Sequence, residues 1–206
     1  MYYTALATEE AHLTLTSPEW ARAEIATVGV HRWKAYAPPP ATEARVLCAR
    51  QGIFVRMHSD ETDQRMLCTE HNSLVCEDSC MEFFFTPDSE QKRYMNFEIN
   101  PRGTVHLAIG TGRGDRTLIS PEDFSLFRIE CAADGKGWTV GFFLPFDYLR
   151  AHFGTLTDTW RCNFYKCGDK TASPHFGAWR EVKTENPDFH RSEYFGTMVL
   201  ERGKRA

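Results

Sequence analysis

The sequence predicts an all-β protein, an antiparallel β-sandwich of the jelly-roll or immunoglobulin-like kind with one or two short helices. Three observations lead there. Short runs rich in Val, Ile, Phe, Tyr and Thr recur along the chain, several alternating apolar and polar residues. Clusters of Gly, Pro, Asn and Asp separate them. Few stretches carry a helical period. A chain of 206 residues fits one domain, 1–206, and buries enough surface to need no disulfide staples.

The elements follow in order. Pro38–Pro40 is an extended lead-in. Ala44–Ala49 and Ile53–His58 flank Arg50-Gln51-Gly52 and read as a hairpin. Ser59–Gln64 is a charged loop. Met81–Thr86 is a strand ended by Pro87-Asp88-Ser89, and Tyr94–Asn100 one closed by Pro101-Arg102-Gly103. Thr104–Gly110 is another. The glycines of Gly110–Asp115 lack the Lys-Ser/Thr ending of a phosphate loop, so this is a plain turn. Phe124–Cys131 and Trp138–Leu144 are read as strands joined by residues 132–137. Pro145–Phe153 suits a short helix stopped by Gly154. Arg161–Cys167 and Tyr194–Glu201 complete the strands.

Composition removes several functions. The net charge is −4, with both signs mixed along the chain, so neither nucleic acid nor a membrane surface is an expected partner. No apolar run is long enough to span a bilayer. The N-terminus lacks the pattern of a secretory signal, which predicts a cytoplasmic location unless the chain was trimmed. The seven cysteines are Cys48, Cys68, Cys76, Cys80, Cys131, Cys162 and Cys167. An odd count argues against a disulfide framework. The spacings Cys76/Cys80 and Cys162/Cys167 match no zinc knuckle, although His71 and His175 lie near them, and reduced, buried thiols are expected.

The most informative stretch is Tyr94-Met-Asn-Phe-Glu-Ile-Asn100. Strand geometry puts Met95, Phe97 and Ile99 on one face and Tyr94, Asn96, Glu98 and Asn100 on the other. The second row carries short, stiff hydrogen-bonding groups, which suit a ligand covered in hydroxyls. Arg161, Asn163 and Tyr165 share a face, with Cys162, Phe164 and Lys166 opposite. Glu82 faces away from Met81, Phe83 and Phe85. If these strands are neighbours, Glu82, Asn96, Glu98, Asn163 and Tyr165 line one concavity. The same groups would serve equally as a buried network that fixes strand register. Trp179, in a loop-like stretch with Pro174 and Gly177, is a candidate platform for the apolar face of a pyranose, or a packed side chain. Lys166, His175 and Arg180 complete the candidate ligand-binding set.

At these residues the chain resembles the family 9 carbohydrate-binding modules and their relatives, which share a β-sandwich of the DOMON type. The likeness runs from about Trp20 to Glu201. It is carried by Ala44–Asp60, by Glu77-Asp-Ser-Cys-Met-Glu-Phe-Phe84, by Tyr94–Asn100, by Trp179-Arg180 and by Phe195–Leu200. The resemblance implies a non-catalytic domain that holds the ends of saccharide chains between two tryptophans. Trp179 matches one clamp position, Val75-Cys76 stands at the other, Glu98 replaces a supporting basic residue, and Glu82 matches a supporting carboxylate. It also implies structural calcium on Asp60, Glu61 and Asp63, with no other cofactor, and a carbohydrate-active enzyme as a companion. Two other functions compete with sugar binding. One is a glycoside hydrolase with Glu82 and Glu98 as acid and base. The other is a haem domain of the wider fold, ligated from Met95, His106 or His175.

Overall fold

The computed structural model describes residues 2–203. Its strands are β1 (Tyr2–Ala7), β2 (Ala26–Thr27), β3 (Thr42–Cys48), β4 (Gly52–Ser59), β5 (Cys80–Thr86), β6 (Tyr94–Ile99) and β7 (Val105–Gly110), then β8 (Thr117–Leu118), β9 (Glu130–Asp134), β10 (Gly137–Pro145), β11 (Thr159–Gly168), β12 (His175–Ala178) and β13 (Gly196–Leu200). Helix α1 (Phe146–Phe153) lies between β10 and β11. It ends at Gly154, whose φ of 78° suits glycine.

The strands form one sheet in the order β8-β7-β6-β5-β11-β13-β1-β3-β4-β10-β9, with β12 added to β11 and β2 to β3. It doubles back at β1. Tyr2–Ala5 pairs with Thr197–Leu200 of β13, and Leu6 and Ala7 pair with Leu47 and Cys48 of β3. One strand thus belongs to both layers. Its pairings are parallel, so the sandwich is not purely antiparallel. No hairpin turn ties β1 to either neighbour, so nothing local forces an antiparallel direction.

Period-2 alternation builds the core. Met81, Phe83 and Phe85 of β5 and Met95, Phe97 and Ile99 of β6 point between the layers. Phe97 stacks on Phe142 of β10 with centroids 4.4 Å apart. Phe83 stacks on both Phe85 and Phe164 at 4.8 Å. Each such ring contributes about 1.5–3 kcal/mol by burial.

The opposite face of β5, β6 and β11 is covered too. Trp33, Val75, Phe84, Tyr94, Tyr165, Phe176, Val182, Phe189 and Phe195 form a second apolar cluster. The covering chain is tied down by the Val30–Ala178 bridge and by the Trp33 indole, which donates to Thr184 O at 3.1 Å. An open concave face, as expected from the strand pattern, is therefore not what this sheet presents.

Two expected strands are shorter. The first half of Phe124–Cys131 is replaced by a 3-10 segment, Pro121–Phe127, started by the Ser120 cap, Pro121 and two acidic residues. Strand pairing begins only at Glu130. The last strand starts at Gly196, after a 3-10 turn at Ser192–Tyr194. A β-carbon at Gly196 would sit 2.5 Å from the Trp179 ring.

Candidate functional site

The order β6-β5-β11 makes the three polar rows neighbours, the condition that the strand pattern left open. Glu82 lies opposite Glu98 on one side and Tyr165 on the other. Asn96 and Asn163 flank Phe84 in the next row. Most of these groups are spoken for. Asn163 accepts from the backbone N–H of Arg180 at 2.9 Å and donates to its carbonyl at 3.0 Å. The Tyr165 hydroxyl donates to Phe189 O, and its ring stacks on Phe189 at 4.0 Å. Tyr94 O–H meets His190 Nδ1 at 2.9 Å. Asn96 donates to Glu98 Oε1 at 2.8 Å and accepts from Arg116, whose guanidinium lies 4.3 Å over the Tyr94 ring. Tyr94, Asn163 and Tyr165 thus tie the sheet to the segments that cover it, and Asn96 joins Glu98 and Arg116 in a buried network.

Glu82 and Glu98 differ. They border a cavity of about 70 Å³ with Phe84 between the strands and the covering loops. Cys76, Cys167 and Asp169 form one side. Phe176 and Pro187–His190 form the roof, and Arg113 stands near the mouth, paired with Asp188 at 3.0 Å. Glu82 Oε1 accepts from the Cys167 thiol at 3.0 Å, while its Oε2 is buried without a partner. Burial raises the pKa of both carboxyls, and for Glu82 the charge of Glu98 adds to it. Asp169 is pushed up to about 6, chiefly by burial. His190 is held down to about 3 by burial, with Arg113 and Arg116 adding repulsion. Carboxyls whose pKa values burial raises, an imidazole whose pKa burial lowers, and phenylalanine edges together line the cavity.

The remaining candidates lie elsewhere. Trp179 is packed in the main core, edge-on to Tyr3 and Phe164 at 6.3 and 5.8 Å, so its ring offers no clamp surface. Lys166 points between the layers, as its alternation predicted. Its ammonium meets Glu61 at 3.0 Å and His175 Nε2 at 2.9 Å beside the Trp138 ring. His175 is pushed down to about 4 by burial and then by Lys166. Neither residue reaches the cavity. Arg180 enters through its backbone, which holds Asn163.

The acidic loop does not gather. Glu61 is taken by Lys166, Asp60 faces His58 at 3.1 Å, and Asp63 is exposed. Met95 lies in the core, His106 bonds the Asn72 carbonyl and His175 faces Lys166, so the three haem candidates share no pocket. Glu82 and Glu98 stand side by side on one sheet and not across a cleft.

Phe176, Phe189, His190, Arg113 and Asp169 were not singled out from the sequence. Aromatic residues in the Pro- and Gly-containing segment 174–189 were the available signal, and Phe176 shares it with Trp179.

The fold is a β-sandwich, and a small cavity lies between β5, β6 and the segments that cover them. The chain belongs to carbohydrate-binding family 9, whose family model matches residues 16–200. It is therefore a non-catalytic carbohydrate-binding domain. A Bacteroides uniformis protein assigned a carbohydrate-binding role superposes with a TM-score of 0.84 at 26% identity, covering 97% of this chain and 99% of that one. A family 9 module from Caldicellulosiruptor kristjanssonii in complex with cellotriose gives 0.69 at 9% identity over 99% of this chain and 95% of that one. The module with glucose gives 0.69 at 8% identity over 100% and 99%. At such low identity these last two speak for the fold alone. No curated protein matches the chain.

Proposed function

We propose that the cavity over Glu82 and Glu98 takes one end of a small saccharide, a glucose-type terminus being the first candidate. The observation that carries this is the free, buried oxygen of Glu82 beside Glu98, under the Phe176 and Phe189 roof. A buried acceptor without a partner costs about 1–3 kcal/mol, which a sugar hydroxyl would recover. Glu98 offers a second hydrogen-bonding group within the same row. Arg113 and Asp188 at the mouth suit hydroxyls further along the chain end. Membership of carbohydrate-binding family 9 supports the ligand class.

On this reading recognition uses carboxyls and phenylalanine edges, with Trp179 serving only the core. Affinity falls in the millimolar-to-micromolar range, since one sugar end offers few atoms. A carbohydrate-active enzyme is the natural companion, because a non-catalytic sugar domain is useful where a catalyst works.

Calorimetry with glucose, cellobiose, cellotriose and a panel of other saccharides tests the proposal. Saturable heats that drop at least tenfold in affinity in Glu98→Gln support it. A folded sample that binds none of them, or a variant that binds as the parent does, overturns it.

A further inference from the structure

Glu82 also belongs to a cluster of metal-ligating groups beside this cavity. Cys80 and Cys167 are cross-strand partners of β5 and β11, and Glu82 follows Cys80 two residues along the same face. The two sulfurs and a Glu82 oxygen all lie within 4.8 Å of one another. All three residues are buried, at 0, 3 and 1% exposure for Cys80, Glu82 and Cys167. Cys167 Sγ touches Glu82 Oε1 at 3.0 Å, while Glu82 Oε2 has no partner. We propose that Cys80, Glu82 and Cys167 bind one divalent transition-metal ion of borderline softness, with zinc the expected species.

The donor set selects the metal. Two thiolates and one carboxylate suit zinc or cobalt and disfavour magnesium or calcium, which take oxygen ligands. Three protein ligands are the number found where zinc keeps an open fourth position. Here that position would be filled by water from the cavity. Binding requires both thiols to lose their protons to solvent, together with any proton on the Glu82 carboxyl, so one dication replaces two or three protons. Cys80 and Cys167 also pack in an apolar cluster, and what sets them apart is the Glu82 carboxyl lying close to both sulfurs. Cys48 and Cys162 sit within the hydrocarbon core, and neither is hydrogen-bonded to a carboxylate.

The inference does not depend on the saccharide reading, since the metal is tested alone. The reduced full chain is titrated with Co²⁺, followed by absorbance, and then back-titrated with Zn²⁺. Expected are one Co²⁺ per chain, a thiolate-to-cobalt charge-transfer band, and loss of that band on zinc addition. Cys80→Ser and Cys167→Ser should each weaken binding at least tenfold, and Cys131→Ser should leave it unchanged. Glu82→Gln, which keeps the side-chain shape, provides the test should a serine variant not fold, and should weaken binding by roughly tenfold or more. Absence of the band from folded, reduced protein overturns the proposal. So does a band that survives both serine changes at full strength, since it would then arise from other cysteines, or a cobalt affinity unchanged by Glu82→Gln, since that carboxyl would then not be a ligand.

Discussion

Glu82 and Glu98 face each other across adjacent antiparallel strands, both buried, one held by a thiol and the other by an amide. Two like-charged carboxylates directly opposed in a sheet destabilise it. Glu98→Gln should therefore raise stability by about 1 kcal/mol while weakening saccharide binding. Urea unfolding beside calorimetry checks both. A loss of stability would mean that Glu98 contributes more through its Asn96 hydrogen bond than it costs by facing Glu82.

Trp179 separates a packing role from a stacking role. Its ring lies against Tyr3, Phe164 and Gly196 in the core. Trp179→Ala should cost about 3–5 kcal/mol, as large core truncations do. Trp179→Phe should cost less and leave saccharide affinity unchanged in the folded fraction. Selective loss of binding in Trp179→Phe, with stability intact, would restore the clamp reading.

The Lys166–Glu61 pair is buried between the layers, with the Trp138 indole N–H also donating to Glu61 at 3.1 Å. Removing one partner of such a pair leaves an uncompensated charge. Glu61→Gln should cost about 3–5 kcal/mol by chemical denaturation, and Lys166→Met with Glu61→Gln should recover part of that. Equal losses in the single and double variants would show that the two charges are not coupled.

His190 makes the fold acid-sensitive. Its ring is held down to about 3 in the folded chain and titrates near 6.5 when unfolded. The unfolded chain binds the extra proton between those values, so this group's contribution to stability is lost as pH falls through that window. The slope is at most about 1.4 kcal/mol per pH unit. Glu82 and Glu98, whose raised pKa values favour the fold at lower pH, act in the opposite sense. Comparison with His190→Gln isolates the histidine. The variant should lose less stability than the parent between pH 7 and 5 (both values on the order of the window), and parallel curves would contradict the assignment.

Alternation identified which side of β5, β6 and β11 each residue faces, and Lys166 and Tyr165 fall on opposite sides as it required. What it left open is what covers a face. Trp33, Phe176 and Phe189 come from segments outside β5, β6 and β11, so a buried network looked like an open ligand row. Cys80 and Cys167 come together only through strand pairing across most of the chain's second half, which no local spacing reveals. The Ser120-Pro121-Glu122-Asp123 start signal was readable and outweighs the apolar run that follows it. Strand β1 had no turn signal before it, and its parallel pairing depends wholly on the completed layers.

The most direct measurement is a crystal structure of the chain soaked with cellotriose. The account expects a terminal sugar ring in the cavity, with hydroxyls in hydrogen-bond reach of Glu82 or Glu98 and carbons against Phe176 or Phe189. Ordered saccharide bound at another surface, with this cavity filled only by solvent, would contradict it.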